Sequence, residues 1–214
     1  MQGKDILINI TAIGIIAILP HAELIPNFGY TIPIILFIWL CLKYFGEKFS
    51  DIGFSFKSFK IKAVAIGFLS AVFILSFMQI VFFPVLENFM QLEETNIGLY
   101  DFVKESKWNF LFIVIMGWIV GGFYEEIVFH GFIFTRLEKM IAGKHATIFS
   151  FVITSIIFGL YHIQMGPLGV INAFIVGMVY LSLLLFFKRN LWYSIICHGF
   201  YNTIVLTLIY LGYL

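Results

Sequence analysis

The sequence of 214 residues has little charge. Charged residues make up 12% of it, hydrophobic residues make up 61%, and the mean hydropathy is +1.01. A soluble domain of this length would carry about twice that charged fraction, because its surface must be polar enough to stay dissolved. Much of this surface must therefore face lipid. The net charge of +1 includes no clustered basic face of the kind that binds phosphates, so we expect no nucleic-acid partner.

Cysteine is also scarce, and its two positions exclude two common roles. Cys41 and Cys197 each lie inside an apolar stretch. Neither falls in a paired metal-binding spacing or in the disulfide pattern of a small secreted domain. We interpret both as small buried hydrophobic residues.

Long apolar runs dominate the sequence instead. A membrane-spanning helix needs about 20 mostly apolar residues, and its backbone polar groups must be satisfied within the segment. The first run has no small-residue cleavage site after it, so we interpret it as a retained span. The sequence predicts an all-α, polytopic transmembrane helical bundle of about seven spans. The candidate spans are Ile6–Ile25, Tyr30–Tyr44, Ala63–Val85, Phe110–Phe134, Ala146–Tyr161, Leu168–Phe187 and Leu191–Tyr213.

The charges between these spans alternate in sign along the chain. Basic residues follow spans two, four and six, whereas the connection after span three is acidic and 164–169 has no charge. The positive-inside rule then predicts a multi-pass protein of the cell membrane with a cytoplasmic N-terminus and an external C-terminus. The basic residues are Lys43, Lys48, Lys57, Lys60, Lys62, Arg136, Lys139, Lys144, Lys188 and Arg189, and the acidic ones are Glu87, Glu93, Glu94 and Asp101.

Several polar side chains within the predicted spans are costly in lipid, where a charge at mid-bilayer costs several kcal/mol. Singly, each has an ordinary alternative role, such as a packing histidine, an interhelical asparagine or a solvated glutamate. Together, on three helices of one small protein, they predict a common polar cavity. They are Glu125, Glu126, His162, His198 and Asn202.

Helical spacing divides these residues into groups. His198 and Asn202 are four apart and share one face, as do Glu126 and His130. Glu125 points about 100° away from Glu126 in an α-helix. One carboxylate can therefore face a cavity while the other is held by its own helix. Gly117 and Gly121 predict a packing notch on the same span.

Three short motifs carry a family resemblance. The sequence reads EEIVFH from Glu125, FGLYH ending at His162, and HGFYN from His198 to Asn202. In this order, on successive apolar helices, they resemble the EExxxR, FxxxH and HxxxN signatures of the CAAX protease and bacteriocin-processing family, also called the Abi family of glutamic intramembrane endopeptidases. His130 stands where the family has arginine. We predict N-terminal transmembrane helices and loops over 1–107 and a catalytic helical core over 108–214.

The resemblance implies a metal-free intramembrane endopeptidase that hydrolyses a membrane-associated protein or peptide. It implies that Glu125 and His162 hold and deprotonate a water, while His198 and Asn202 donate hydrogen bonds to the oxyanion. Glu126 and His130 would brace the site from behind.

Two alternatives stay open from the sequence. Glu125, His162 and His198 are also a possible zinc triad with an open fourth position, although HExxH is absent. The other alternative is a protein without catalysis: a bacteriocin-immunity factor, a scaffold or a small proton-coupled carrier, since buried Glu and His suit proton relays. Carriers, however, are often built from inverted repeats, and the sequence shows none.

Overall fold

A computed structural model describes residues 3–22, 25, 28–90 and 98–214. Over these residues the chain is helical and contains no strand, which confirms the all-α prediction. Glu93 and Glu94 of the acidic connection lie outside the described residues. Cys41 and Cys197 are free and buried, as predicted.

Seven main helices follow the seven predicted spans. Among the described residues, five are long and apolar enough to cross a bilayer, so the chain is a multi-pass membrane protein. Two others, of 14 and 16 residues, are about 21 and 24 Å long, shorter than a hydrocarbon core of about 30 Å. The helices are α1 (Gly3–Ala22), α2 (Thr31–Tyr44), α3 (Lys62–Glu87), α4 (Lys107–Ile141), α5 (Ala146–Tyr161), α6 (Ile163–Phe186) and α7 (Trp192–Leu211).

Four of these helices change their winding along their length. Helix α6 begins with a 3₁₀ turn over Ile163–Met165. Helix α1 ends in a 3₁₀ turn over Leu19–Ala22, and α3 contains a π turn over Met78–Phe82. Helix α4 is wound as a π-helix for 17 residues, from Gly117 to Ile133. The sequence predicted α geometry there. π turns are rare and often mark functional sites, and this one carries three of the polar residues singled out above.

Helix α7 is central, packing against α3, α4 and α6, while α5 packs against α6 and the last turns of α4. The approach of α4 to α7 depends on glycine. A Cβ at Gly122 would lie 3.2 Å from the Ile195 carbonyl oxygen and 3.3 Å from the Gly199 nitrogen. Close backbone contact at small residues is the usual way in which transmembrane helices pack. It brings the polar residues of α4 and α7 face to face.

The two ends of the bundle differ in their connections. We call the end formed by residues 43–62, 136–145 and 187–191 the basic end, and the end formed by the described residues 19–22, 28–30, 83–90, 98–107, 161–169 and 211–214 the acidic end. At the basic end, the Leu191 N–H donates to the Gly53 carbonyl at 3.0 Å. Residues 46–62 there form a loop with 3₁₀ turns at Phe49–Ile52 and Phe56–Ser58.

Candidate active site

The adjacent residues Glu125 and Glu126 lie on the π-wound part of α4 and face opposite surroundings. Glu125 is 8% exposed and lines a cavity, whereas Glu126 is fully buried between helices. The two side chains therefore point in different directions, as helical spacing predicted. This part of α4 is a π-helix, which is wider than the predicted α-helix.

Glu126 is held by two imidazoles. Its Oε2 lies 2.9 Å from His130 Nδ1 on the same helix, and its Oε1 lies 2.9 Å from His198 Nδ1 on α7. An ionised carboxylate only accepts hydrogen bonds, so both Nδ1 atoms donate to it. The pairing fixes the His198 ring and leaves its Nε2 directed at the cavity.

Glu125 faces two imidazoles across a gap. Its Oε2 lies 3.9 Å from His162 Nε2 and 3.9 Å from His198 Nε2. These separations are longer than a direct hydrogen bond and match a gap that one water can bridge. The His162 Nδ1 donates to the Phe158 carbonyl oxygen at 2.9 Å. In the neutral ring, its Nε2 is then the free acceptor that faces Glu125.

Asn202 lies one turn beyond His198 on α7, at the predicted notch of α4. Its Nδ2 donates to the Gly117 carbonyl oxygen at 3.2 Å. A Cβ at Gly121 would overlap Asn202 Nδ2 and lie 3.2 Å from His198 Nε2. The notch is therefore more than a packing feature, because it makes room for the two polar side chains that α7 brings to the cavity.

Aromatic rings close the site behind the histidines. The Tyr180 ring stacks on the His198 ring with centroids 4.6 Å apart, and the Phe158 ring lies 4.8 Å from the His162 ring. Phe158 belongs to a motif, but nothing in the sequence singles out Tyr180 among the apolar residues of its span. The Tyr180 hydroxyl is buried and has no hydrogen-bond partner among the described residues.

A cavity of about 550 Å³ contains the site. Four of the six predicted site residues line it: Glu125, His162, His198 and Asn202. Its remaining wall is largely apolar, with a polar contact from the Tyr201 hydroxyl to Asn172 Oδ1 at 3.0 Å. Glu126 and His130 lie behind this wall. Nothing in the sequence indicated that Tyr201 contributes to this wall.

A second cavity of about 350 Å³ also reaches Glu125 and His162. Its wall includes Tyr30, Tyr161 and Gln164. The two tyrosine hydroxyls lie 3.4 Å apart. Tyr30 is far from Tyr161 and Gln164 in the sequence, so no local pattern predicted that these residues would meet.

The described residues do not form a metal centre. No group of three or more His, Cys, Asp or Glu side chains within 3–22, 28–90 and 98–214 is arranged to hold a metal ion. The geometry of Glu125, His162 and His198 therefore does not favour the zinc alternative.

The fold and site define a class: a polytopic membrane protein with a carboxylate, two imidazoles and an amide around one intramembrane cavity. Residues 107–204 match the family model described as type II CAAX prenyl endopeptidase Rce1-like. Residues 107–204 are thus an Rce1-like domain, which confirms the resemblance seen in the motifs and supports an intramembrane protease in general. The match includes all six predicted site residues. Among curated proteins and solved structures, none gives a significant match to the chain.

Proposed function

We propose that the protein is an intramembrane endopeptidase that hydrolyses a membrane-associated protein or peptide with a water activated by Glu125 and His162. The observation that carries the proposal is the pair of 3.9 Å distances from Glu125 Oε2 to the Nε2 atoms of His162 and His198. A water placed between these three atoms would lie at the end of a cavity large enough for a peptide segment.

In the proposed reaction, Glu125 accepts a proton from this water while His162 Nε2 holds it. The water oxygen forms a bond to the carbonyl carbon of the substrate, whose oxygen becomes an oxyanion. As the carbon–nitrogen bond breaks, the Glu125 carboxyl returns the proton to the leaving amine. One carboxylate therefore serves as base and then as acid.

We assign the oxyanion to His198 and Asn202. The Asn202 amide has a second N–H besides the one that donates to Gly117, and it lies beside His198 Nε2 at the Gly121 notch. His198 can donate from Nε2 only as an imidazolium, since its Nδ1 already donates to Glu126. The Glu126 carboxylate stabilises that charge. Donors aimed at a developing oxyanion are often the largest contribution to catalysis.

The substrate proposal follows from the cavity. The family description is that of a CAAX prenyl endopeptidase, and the largely apolar wall suits a substrate that is itself embedded in or attached to the bilayer.

The test is Glu125→Gln in the full chain. We expect at least about a 100-fold loss of cleavage, because general base catalysis contributes about 10²–10⁴-fold. Membrane peptides from cells that make the intact protein and cells that make the variant would be compared by proteomics, and the accumulated substrate assayed with purified protein in liposomes. Glu105→Gln, at an exposed glutamate outside the site, is the matched control. Retained turnover in Glu125→Gln would eliminate the proposed base.

Chelation separates the metal-free mechanism from the zinc alternative. We expect purified protein to keep its activity after treatment with a strong chelator and to contain no stoichiometric zinc. Loss of cleavage that zinc alone restores would replace the water-activation scheme by metal catalysis.

A further inference from the structure

Both cavities at Glu125 extend toward the same end of the bundle. The larger one runs from Glu125 and His198 to Glu87 at the end of α3, Tyr100 in the next connection and Leu214 at the C-terminus. The smaller one runs from His162 to His21 and Gln164. The far residues all belong to the acidic end. Glu87, His21 and Gln164 are exposed, so each cavity reaches the surface there.

The basic end is closed over the site by contacts between its connections. The Trp192 indole N–H donates to the Ser55 carbonyl at 2.8 Å, and the Asn190 amide donates to the Ser58 carbonyl at 2.8 Å. The rings of Phe54, Phe123 and Trp192 pack together beneath these bonds. None of the residues that line either cavity belongs to 43–62, 136–145 or 187–191.

Ion pairs reinforce this closure. Arg136 is buried and pairs with Glu47, which joins the connection after α2 to the end of α4. Arg189 pairs with both carboxylate oxygens of Glu138, at 2.7 and 2.8 Å. These pairs join the three basic connections to one another. Opening a path through them would leave a buried arginine without its partner, which is costly.

The charge distribution assigns the two ends to the two sides of the membrane. Ten of the 13 Lys and Arg residues lie at the basic end, and Lys104 and Lys107 are the two at the acidic end. Such a bias in short loops places the basic end in the cytoplasm. The closed end of the site is then cytoplasmic and the open end is external.

We propose that this site takes its substrate from the external side of the membrane: a polypeptide segment presented at the outer leaflet enters through the larger cavity at the acidic end. That a substrate enters at all rests on the proposed function. The direction from which it enters is inferred from the cavity shape and the charge distribution alone. It excludes a segment that reaches Glu125 from the cytoplasm.

The first experiment measures orientation with single introduced cysteines. Gln164→Cys lies at the acidic end and Lys60→Cys at the basic end, both at exposed positions. With a membrane-impermeant charged maleimide on intact cells, we expect labelling of Gln164→Cys and none of Lys60→Cys until the membrane is permeabilised. The wild-type protein is the control, since Cys41 and Cys197 are buried. The reverse labelling pattern would overturn the proposal.

The second experiment asks whether the open end is the entrance. Glu87→Cys, at the mouth of the larger cavity, would be modified from outside with a bulky impermeant maleimide, and cleavage of the membrane substrate measured. We expect modification to abolish cleavage, whereas the same modification of Lys60→Cys in permeabilised cells leaves it unchanged. Undiminished cleavage after complete modification of Glu87→Cys would overturn the proposed entrance. Failure of the proposed function is distinguishable, because it would appear as retained turnover in Glu125→Gln whatever the labelling shows.

Discussion

The two sides of α4 at Glu125 and Glu126 differ in how completely their polar atoms are bonded. On the Glu126 side, the carboxylate is fully buried and each of its oxygens accepts a hydrogen bond from an imidazole. On the Glu125 side, the two imidazole Nε2 atoms lie 3.9 Å away across a cavity. Adjacent, chemically identical residues thus have different surroundings: Glu126 is enclosed and hydrogen-bonded, and Glu125 lies beside a cavity.

This comparison indicates that a fully buried charged side chain is tolerated only when its polar atoms have hydrogen-bond partners. Removing one partner of a buried ion pair leaves the other charge uncompensated, which costs about 3–5 kcal/mol. A group beside a cavity that water can enter does not depend on such partners. Substitutions on the Glu126 side should therefore reduce stability and activity together, and those on the Glu125 side mainly activity.

The largest effect is expected from Glu126→Gln. The glutamine amide can accept from one histidine Nδ1 but presents its NH₂ group to the other, so one donor loses its acceptor. We expect a loss of about 3–5 kcal/mol in the free energy of unfolding and loss of cleavage. Unfolding of the purified protein in detergent measures the first quantity. Glu125→Gln is the matched control, and an equal loss of stability in both variants would remove the distinction between the two sides.

His130→Ala tests the same hydrogen-bonded group by removing a donor instead of the carboxylate. The substitution removes one of the two donors to Glu126 and leaves space beside Phe158 and Tyr180, but His198 still binds the carboxylate. We expect a loss of about 2–3 kcal/mol, smaller than for Glu126→Gln, since hydrogen bonds to charged groups contribute about 1.5–3 kcal/mol. Thermal unfolding and cleavage should be measured on the same preparation. Unchanged stability would show that His198 holds Glu126 without help.

Gly121→Ala tests the cavity side. Its methyl group would overlap Asn202 Nδ2 and displace the amide from the notch. We expect cleavage to be about 10²–10³-fold slower, which is the effect of losing one oxyanion donor. Overpacking should lower the free energy of unfolding by at most about 1–3 kcal/mol. Gly117→Ala is the control, because its Cβ would lie 3.3 Å from the nearest atom, Asn202 Cβ. Equal cleavage rates in the two variants would argue against an oxyanion role for Asn202.

The smallest effect is expected from Tyr180→Phe. In the part of the chain that the structure describes, the buried Tyr180 hydroxyl has no hydrogen-bond partner, and its removal leaves the ring stacked on His198. Losing an unsatisfied polar group is nearly neutral or stabilising, so stability should change by less than about 0.5 kcal/mol or increase. Tyr180→Ala, which removes the ring as well, should lower both stability and cleavage. A clear loss of cleavage in Tyr180→Phe would instead give the hydroxyl a role in the reaction.

The local features of this protein were predictable from residue order. Lipid solvation acts on each apolar run by itself, so hydropathy located all seven main helices. The bond between Glu126 and His130 was predictable because residues four apart meet on one helical turn. The three motifs pointed to the family because they are short and ordered along the chain. The division at residue 107 and the roles of the six site residues stay predictions.

Only the tertiary structure decided which side chains meet across helices. The 72-residue separation between Glu126 and His198 is bridged by glycine contacts between α4 and α7, and no local pattern sets that distance. The stacking of Tyr180, the second cavity, the π winding of α4 and the closure of the basic end have the same origin. Sequence alone determined that the chain lies in a membrane and which polar residues its helices carry, because solvation and helical spacing are local. Packing is not local, and it decided that these polar residues share one cavity and that the cavity opens at the acidic end.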